Sequence, residues 1–507
     1  MKKIIFLELL VLLCIFCKAQ KQQAYQPPYF GEQNRLQKIA PLFPAIEQLY
    51  RTHAEKNHFP GYTFGIVLDG KLVFSGSGGY LDVQKKNPVT TDSRFRIASM
   101  SKSFTAMAIV KLRDEGKLRL DDPVEKYIPE IKGQKLTNDA PTLTIRDLIT
   151  HAGGFPQDDP WGDRQLADTE AELLALIKKG LHYSNVTGVK YEYSNLGFTM
   201  LGYIIHKVSG KPYSKYIAEN IWEPLGMTAS TFEYNSVPAA SLAKGHRWIN
   251  NSWRDEPLLH DGIFGAMGGM ITSLNSFSKY MALHLSAWPP SNDKDLGPIK
   301  RSSIREMHQP HNFSSLNSQY RYPDGRVCPM VTAYGYGLRW SRDCEGRTTV
   351  GHSGGLPGFG SNWVILPEYG IGVVMFANLT YASTAGINAQ VLDTLVRAGG
   401  LKPRTIPASD ILLDAQKRLL EIIPSWDNAE KSGLFADNFF DDYPIESLKA
   451  QYRKMFESAG KITRVGDMIP ENQLRGSFTI YGEKGNINLF FTMTPENPSK
   501  IQELSIR

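Results

Sequence analysis

Two short runs rich in aromatic and β-branched residues stand close together early in the chain. They are Tyr62–Leu68 and Lys71–Ser75, and the pair Asp69-Gly70 separates them. An Asp-Gly pair between two such runs is typical of a two-residue hairpin turn, because both residues tolerate a positive φ. The pattern therefore predicts a β-hairpin at this position.

Apolar residues recur at helical spacing in two later segments. The first runs from Ser99 to about Glu115 and is stopped by Gly116, and the second spans Asn195–Val208 and stops near Gly210. Glycine often follows the last residue of a helix, since it adopts the left-handed conformation at little cost. We predict an α-helix for each segment.

Three more strands are predicted at Arg347–Val350, Asn362–Leu366 and Gly372–Ala377, the first two around a glycine-rich turn. Strands therefore lie at both ends of a long, mostly helical middle. This order favours an α+β fold in which one sheet collects strands from both ends of the domain.

The chain changes character after Pro403 and Pro407, which indicate a linker at 401–410. Beyond it, two segments have helical patterns and three have strand patterns. These are Ile411–Ile423 and Ile445–Glu457 for the helices, and Phe478–Tyr481, Ile487–Thr492 and Ile501–Ile506 for the strands. We predict an extension at 20–44, a main domain at 45–400 and a small α+β domain at 411–507.

The first residues have the pattern of a secretory signal. Met1-Lys2-Lys3 carries positive charge, Ile4–Phe16 is mostly apolar, and Cys17-Lys18-Ala19 offers small residues for cleavage before Gln20. The apolar run is shorter than the ~20 residues that span a bilayer. We expect residues 1–19 to be removed and the protein to be exported, to a bacterial periplasm or beyond the cell, without a transmembrane anchor.

Cys328 and Cys344 are the cysteines that follow this segment. In an oxidising compartment an even pair can form a disulfide bond. Two free buried thiols fit the sequence nearly as well, so the pairing stays open.

The composition excludes several classes of function. With 42% apolar and 21% charged residues the chain is globular, and its net charge of +6 includes no Lys/Arg-rich block, which argues against nucleic acid as a partner. No metal or cofactor site is predicted. His308 and His311 flank Gln309-Pro310, which we expect in a surface loop, and Gly76–Gly79 lacks the lysine of a phosphate loop and is expected to bend after a strand.

The string Gly351-His352-Ser353-Gly354-Gly355 fits the G-x-S-x-G pattern in which an α/β-hydrolase carries its nucleophile. That turn needs a helix directly after the serine, whereas Pro357 and Gly358 follow at once. The same fold places its histidine after the serine, and His352 is the last histidine of this chain. We therefore reject this interpretation.

Ser99 and Lys102 form the remaining nucleophile pair. At a helix start, positions i and i+3 share one face, so the amine can reach the hydroxyl. The lysine can accept the serine proton only when it is neutral, which requires a pKa well below ~10.4. Burial and the positive end of a helix both lower that pKa, and the helix start directs the Ser99 N–H at an oxyanion formed there.

The Ser-x-x-Lys spacing is weak by itself, because it occurs four more times in the chain. Ser99 differs in following a strand-like run, Arg94–Ile97, and in opening a long helix; a plain helix cap is the alternative. Tyr193-Ser194-Asn195 adds a tyrosine that can act as acid or base and an amide that can hold a carbonyl. Tyr183-Ser184-Asn185 repeats this triplet, and we prefer Tyr193 because an apolar helix follows it directly.

These motifs resemble, in this order, the serine β-lactamase and penicillin-binding-protein superfamily. They are Ser99-x-x-Lys102, Tyr193-x-Asn195 and His352-Ser353-Gly354. The likeness is greatest to class C enzymes and their relatives, which include esterases, D-aminopeptidases and D-alanyl-D-alanine carboxypeptidases, and it covers about residues 45–395. It implies a β-lactamase-like antiparallel sheet flanked by helices, with a helical subdomain.

The resemblance also implies a role for each motif residue. Ser99 would be acylated, Lys102 would be its general base, and Tyr193 would pass the proton to the leaving group. The N–H groups of Ser99 and Gly355 would hold the oxyanion. The substrate would be bound by the remaining motif residues, Asn195, His352, Ser353 and Gly354. No cofactor is implied.

His352 departs from the pattern, because many lactamases carry lysine at this position. A histidine is largely neutral at neutral pH, so the site loses a fixed cation. This favours an ester, an amide or a D-amino-acid peptide bond over a β-lactam as the bond that an exported serine hydrolase would cleave. The alternative is a protein that binds penicillin or cell-wall peptides and senses them without hydrolysis.

The domain at 411–507 loosely resembles the small cone-shaped α+β modules of the nuclear-transport-factor-2-like kind. Its pattern predicts two helices and a curled sheet, and it contains no charged cluster that would indicate a second active site. Packing, gating of the substrate and dimer contact all stay open as its role.

Overall fold

The computed structural model describes residues 25–506. The expected export signal at 1–19 lies outside these residues. The described chain divides into two compact units, one formed by residues 32–403 and the other by residues 25–31 together with 404–506. The division after Pro403 falls inside the segment where we predict a linker.

The larger unit is built around one sheet of nine strands. The strands of this unit are β1 (Gly61–Leu68), β2 (Lys71–Asp82), β3 (Asn87–Pro88), β4 (Arg94–Arg96), β5 (His246–Ile249), β6 (Ser252–Asp255), β7 (Ile271–Ser273), β8 (Asn312–Asn317), β9 (Met330–Tyr334), β10 (Arg339–Asp343), β11 (Thr348–Leu356), β12 (Phe359–Leu366) and β13 (Ile371–Ala377). The sheet has the order β3-β2-β1-β13-β12-β11-β10-β9-β8, and β4-β7 and β5-β6 form two small sheets. All neighbours in the large sheet are antiparallel, as predicted.

Helices fill the middle of this unit and flank the sheet. They are α1 (Arg35–Ile39), α2 (Phe43–Lys56), α3 (Ser101–Asp114), α4 (Ile145–Ile149), α5 (Asp159–Gly162), α6 (Glu170–Lys178), α7 (Asn195–Ser209), α8 (Tyr213–Ile217), α9 (Glu223–Leu225), α10 (Gly265–Gly268), α11 (Leu274–Ser286), α12 (Arg301–Met307) and α13 (Ala385–Arg397). The two long predicted helices are α3 and α7, and Gly210, at a φ of 71°, ends α7.

The predicted hairpin is present between β1 and β2, with Asp69 and Gly70 at φ values of 51° and 78°. The expectation of a bend at Gly76–Gly79 is wrong, because β2 continues through it to Asp82. The glycines serve packing against β1: a Cβ on Gly76 would lie 2.5 Å from the Phe64 ring. The Phe64 ring of β1 thus packs directly against Gly76 of β2.

Neighbouring residues of β13 alternate between two apolar clusters, one on each face of the sheet. Phe376 packs in the same cluster as Phe104 of α3, among the middle helices. Val373 packs in the other cluster with Ile46 of α2. The period-two alternation of a strand places successive side chains on opposite faces, so both faces are covered.

Within the predicted extension at 20–44, residues 32–44 are grouped with the larger unit. Ile39 of α1 is fully buried in the cluster that also contains Ile46. Burying such a side chain contributes ~1.5–3 kcal/mol, which holds this segment against the sheet.

The smaller unit has its own core and its own sheet. Its elements are α14 (Asp410–Ile422), α15 (Phe439–Asp442), α16 (Ile445–Ala459), β14 (Ile462–Val465), β15 (Ile469–Asn472), β16 (Arg475–Gly482), β17 (Asn486–Met493) and β18 (Ile501–Ile506). Strand order is β14-β16-β17-β18, with β15 also on β16, and every pair is antiparallel. The two helices and the last three strands match the sequence prediction, whereas the short polar β14 and β15 carry no apolar pattern.

The structure answers two further questions that the sequence raises, the pairing of two cysteines and the position of His308. Cys328 and Cys344 form a disulfide bond, with their Cα atoms 5.3 Å apart. The expected surface position of His308 is wrong: it is buried, accepts a hydrogen bond from Trp288 Nε1 at 2.9 Å and lies 2.7 Å from His284 Nδ1.

Candidate active site

Ser99 lies in a single 3₁₀ turn, Ala98–Met100, between β4 and α3. The predicted helix start at Ser99 is therefore early, since α3 begins at Ser101. Ala98 has a φ of 50°, which is costly for a residue with a Cβ. Two hydrogen bonds hold this turn: the Ser101 hydroxyl donates to Ala98 O, and the Ser361 hydroxyl of β12 donates to Ile97 O, each at 2.7 Å.

Lys102 is fully buried, and its amine lies 3.0 Å from the Ser99 Oγ. The same Nζ donates to Asn195 Oδ1 at 2.7 Å and to the Met267 carbonyl at 2.8 Å. Three acceptors thus match the three N–H bonds of an ammonium group. Burial lowers the pKa of Lys102 to about 8, against the opposing effect of nearby aspartates.

Asn195 is the first residue of α7 and is held on both sides. Its Oδ1 accepts from Lys102, and its Nδ2 donates to Asp159 Oδ1 at 3.1 Å. Its backbone N–H donates to Asp158 Oδ1 at 2.6 Å, which places a carboxylate at the positive end of the helix. The Asn195 amide is fully buried and has partners on both sides, so it orients Lys102. The predicted contact between Asn195 and a substrate stays a prediction that this geometry does not support.

Tyr193 faces the same amine. Its ring centroid is 4.9 Å from Lys102 Nζ, while Tyr183 of the repeated triplet donates to Gln134 O and lies away in a loop. Burial raises the pKa of Tyr193 well above its usual value, with a smaller opposing effect of Arg339. The phenol is therefore protonated at neutral pH.

Strand β11 supplies the edge beside the nucleophile. β10 pairs with β11 only as far as Gly351, so the following residues, up to Leu356, are paired with β12 alone. Gly354 packs directly on the serine turn, because a Cβ there would lie 2.3 Å from Ile97 O. Gly355 is next along this edge and is partly exposed, as an oxyanion donor requires.

His352 is 1% exposed, and both of its ring nitrogens have partners. Nδ1 lies 2.6 Å from the Ser353 carbonyl, which can only accept, so Nδ1 carries the proton and Nε2 accepts from the Tyr334 hydroxyl at 2.8 Å. Burial holds the pKa of His352 well below its usual value. The ring is neutral and supports the strand, and Ser353 is the partly exposed residue of this motif.

Arg339 is the main site residue that sequence analysis misses. It is exposed at the start of β10, its Cζ lies 5.3 Å from the Tyr193 ring centroid, and it is directly opposite Gly351 of β11. With Tyr191, Thr332 and Ser353 it lines a cavity of about 240 Å³. No motif or periodicity precedes it, so nothing in the sequence indicates this position.

No cluster of three or more His, Cys, Asp or Glu side chains suited to a metal ion occurs within residues 25–506. Across the same described range, no helix combines the length and the apolar character needed to cross a bilayer. Ser99, Lys102 and Tyr193 together provide a hydroxyl, an amine of lowered pKa and a protonated phenol.

The sequence model of the beta-lactamase family matches residues 46–396. This match covers more than half of the chain, and the chain therefore belongs to the beta-lactamase family. The antiparallel sheet with flanking helices agrees with that family, so both the family and the fold class that the motifs predict are confirmed. The protein is a member of the serine hydrolases of β-lactamase and penicillin-binding-protein type.

Among curated proteins, the chain is similar to protein flp of Staphylococcus aureus (strain MRSA252). The two are 29% identical over 344 residues, which cover 66% of this chain and 62% of that protein. The chain thus spans less than two thirds of the length of this relative. It is also 28% identical over 444 residues to beta-lactamase-like protein 2 of Dictyostelium discoideum, covering 81% of this chain and 77% of that protein.

Two solved structures show the same fold. The octameric penicillin-binding protein homologue from Pyrococcus abyssi has a TM-score of 0.57 at 22% identity, covering 91% of this chain and 95% of that chain. The D-stereospecific amidohydrolase from Streptomyces sp. has a TM-score of 0.53 at 24% identity, covering 70% of this chain and 98% of that chain.

Proposed function

We propose that the protein is an exported serine hydrolase that forms an acyl-enzyme on Ser99 and cleaves peptide or amide bonds. The observation that carries this proposal is the 3.0 Å contact between the Lys102 amine and the Ser99 hydroxyl. The Cys328–Cys344 disulfide supports export, because such bonds persist in oxidising compartments.

The hydrogen bonds of Lys102 allow its amine to lose one proton while its other two N–H groups stay bonded. When Lys102 loses the proton that points to Ser99, two N–H bonds remain on Asn195 Oδ1 and Met267 O. The freed lone pair then faces the Ser99 hydroxyl. Because burial lowers the pKa of Lys102 to about 8, this neutral form is populated near neutral pH.

In the acylation step, Ser99 Oγ forms a bond to the substrate carbonyl carbon as its proton moves to the Lys102 amine. The oxyanion is held by the N–H groups of Ser99 and Gly355, and one such donor contributes ~10²–10³ in rate. The bond to the leaving group then breaks as that group takes the Tyr193 proton, which Lys102 replaces. Water attacks the acyl ester in the second half-reaction and returns the proton to Ser99.

The substrate class follows from Arg339. Its guanidinium lies over the ring of Tyr193, the residue proposed to protonate the leaving group, and it lines the cavity shared with Ser353. A guanidinium can bind a carboxylate through two parallel hydrogen bonds. We therefore propose a leaving group that carries a carboxylate, as the last residue of a peptide does; the name of the Streptomyces neighbour favours D-amino acids.

Replacement Arg339→Gln tests this assignment. Because hydrogen bonds to a charged group contribute ~1.5–3 kcal/mol, we expect kcat/KM for a peptide with a free C-terminal carboxylate to fall roughly 10- to 100-fold. For the matching peptide amide and for p-nitrophenyl acetate it should change less than about threefold. Arg342→Gln, an exposed arginine on the same strand, is the matched control.

Two results would contradict the proposal. Equal losses on the peptide and its amide would remove the carboxylate assignment. A stable Ser99 adduct with substrate that never turns over would instead favour the binding and sensing protein.

A further inference from the structure

Three carboxylates in and around α5 are close enough to Lys102 to raise its pKa. They belong to Asp158, Asp159 and Asp163. Asp158 accepts from the backbone N–H of Asn195 and Leu196, and Asp159 accepts from the Asn195 amide. Asp158 and Asp159 thus position the start of α7 and, through Asn195, the Lys102 amine.

Asp163 differs from its two neighbours. It is 2% exposed, and its Oδ2 accepts a hydrogen bond from the Tyr381 hydroxyl at 2.9 Å. Its Oδ1 is also buried and has no hydrogen-bond donor within reach among residues 25–506. A buried carboxylate oxygen without a partner is costly, and a substrate that brings a donor would recover that cost.

The position of Asp163 relative to the nucleophile follows from Tyr381. The Tyr381 ring lies against the oxyanion residue, since a Cβ on Gly355 would be 2.8 Å from Tyr381 Cδ1. On the other side, a Cβ on Gly162 would be 3.0 Å from the Asn195 Cβ. Asp163 is thus held between the start of α7 and the Gly355 end of β11.

Arg339 is at the opposite end of the same edge, because it pairs with Gly351. Gly351 and Gly355 are four residues apart along one strand, or ~13 Å. Arg339 thus lies at the Gly351 end of this edge and the Asp163–Tyr381 pair at its Gly355 end, and the serine turn packs on Gly354 between them. This arrangement places Arg339 on the side of the leaving group and Asp163 on the side of the acyl group.

Other charges near Asp163 do not compensate it. With Arg96 and Arg164 it lines a cavity of about 10 Å³, which is about the space of one water molecule. The first donates to the carbonyls of Leu259 and Gly269, and the second forms a salt bridge with Glu256 at 3.2 Å. Burial raises the pKa of Asp163 to about 7; the Tyr381 hydrogen bond and Lys102 oppose this rise, and Asp159 and Asp158 add to it. A bound ammonium group would favour the charged form of this carboxylate.

We propose that Asp163 and Tyr381 form the acyl-side subsite for a primary ammonium group, so that the preferred substrates carry a free amine on the acyl side of the cleaved bond. This inference rests on the proposed function and narrows it to short peptides with both termini free. Bound there, the ammonium group would neutralise a carboxylate that keeps the proton on Lys102, and would thereby favour the basic form of the lysine.

The test compares the hydrolysis of alanyl-alanine with that of its N-acetyl derivative, each as the D,D and the L,L stereoisomer. The alanine that the enzyme releases is measured by chromatography. For the wild type we expect the free dipeptide to be the better substrate. Asp163→Asn should lower kcat/KM for the free dipeptide roughly 10- to 100-fold and affect the acetylated one less than about threefold. Asp168→Asn, which removes the same charge from the same segment, is the control.

Labelling of Ser99 by a fluorophosphonate, which carries no amine, is measured in parallel. The proposal predicts that Asp163→Asn keeps this labelling and moves its pH midpoint downward, because one carboxylate beside Lys102 is lost. Equal losses on both dipeptides, or no loss on either, would overturn the subsite. Absence of labelling in the wild type would instead contradict the acyl-enzyme itself.

Discussion

Substitution Lys102→Met is expected to slow acylation of Ser99 by ~10⁴-fold, the upper range for removal of a general base. Methionine has a similar length and fits a fully buried position, but it cannot accept the serine proton. It also leaves Asn195 Oδ1 and Met267 O without their donor, so some loss of stability accompanies the loss of rate. The measurement is the rate of fluorophosphonate labelling, read by intact-protein mass spectrometry.

Lys117→Met is the matched control for that experiment, since Lys117 follows the same helix and is solvent-exposed. It should label at the wild-type rate. Circular dichroism and thermal unfolding of both variants show whether they are folded. Labelling of a folded Lys102→Met protein within tenfold of the wild-type rate would remove the lysine from the mechanism.

The second large effect is expected for Gly354→Ala. The added Cβ would lie 2.3 Å from Ile97 O and 2.9 Å from the Ala98 Cβ, so the strand and the serine turn must separate. Overpacking of this kind costs ~1–3 kcal/mol in stability. Because a displacement of about 1 Å costs ~10²-fold in rate, we expect at least that loss in kcat/KM.

Gly386→Ala provides the comparison for this variant. Gly386 lies in the first turn of α13, and a Cβ there meets no atom within 4 Å. Alanine should therefore stabilise the helix by ~0.5–1 kcal/mol and leave activity unchanged. Wild-type activity of Gly354→Ala would show that the serine turn does not depend on the close approach of β11.

The reactive pair was accessible to sequence reasoning because local geometry dictates it. Ser99 and Lys102 are three residues apart at a helix start, and this spacing alone brings their side chains to one face. Tyr193 was separable from Tyr183 because α7 follows directly and fixes the tyrosine toward the lysine. The Ser99–Lys102 inference needed only one turn of backbone, whereas the approach of Tyr193 to Lys102 is a tertiary contact that was expected from the family resemblance.

The residues that define the proposed substrate were out of reach for the opposite reason. Arg339 and Asp163 come from segments without motif or apolar periodicity. Only the folded chain brings them near β11, where they could contact a substrate. The burial of His352 and Asn195 is likewise a result of packing, so the sequence could place them at the site but not decide whether they face a substrate. Strands β8 and β10 are short and mostly polar and β9 has only five residues, so all three were missed with Arg339.

The most direct test of the central claim is the pH dependence of Ser99 labelling by an uncharged fluorophosphonate, followed by intact-protein mass spectrometry from pH 5 to 10. The base must be neutral Lys102, whose pKa burial lowers to about 8, so the rate should rise with pH and level off above that value. In Lys102→Met this rise should be absent. A wild-type rate that is independent of pH, or that keeps rising tenfold per unit up to pH 10, would contradict a buried neutral lysine as the base.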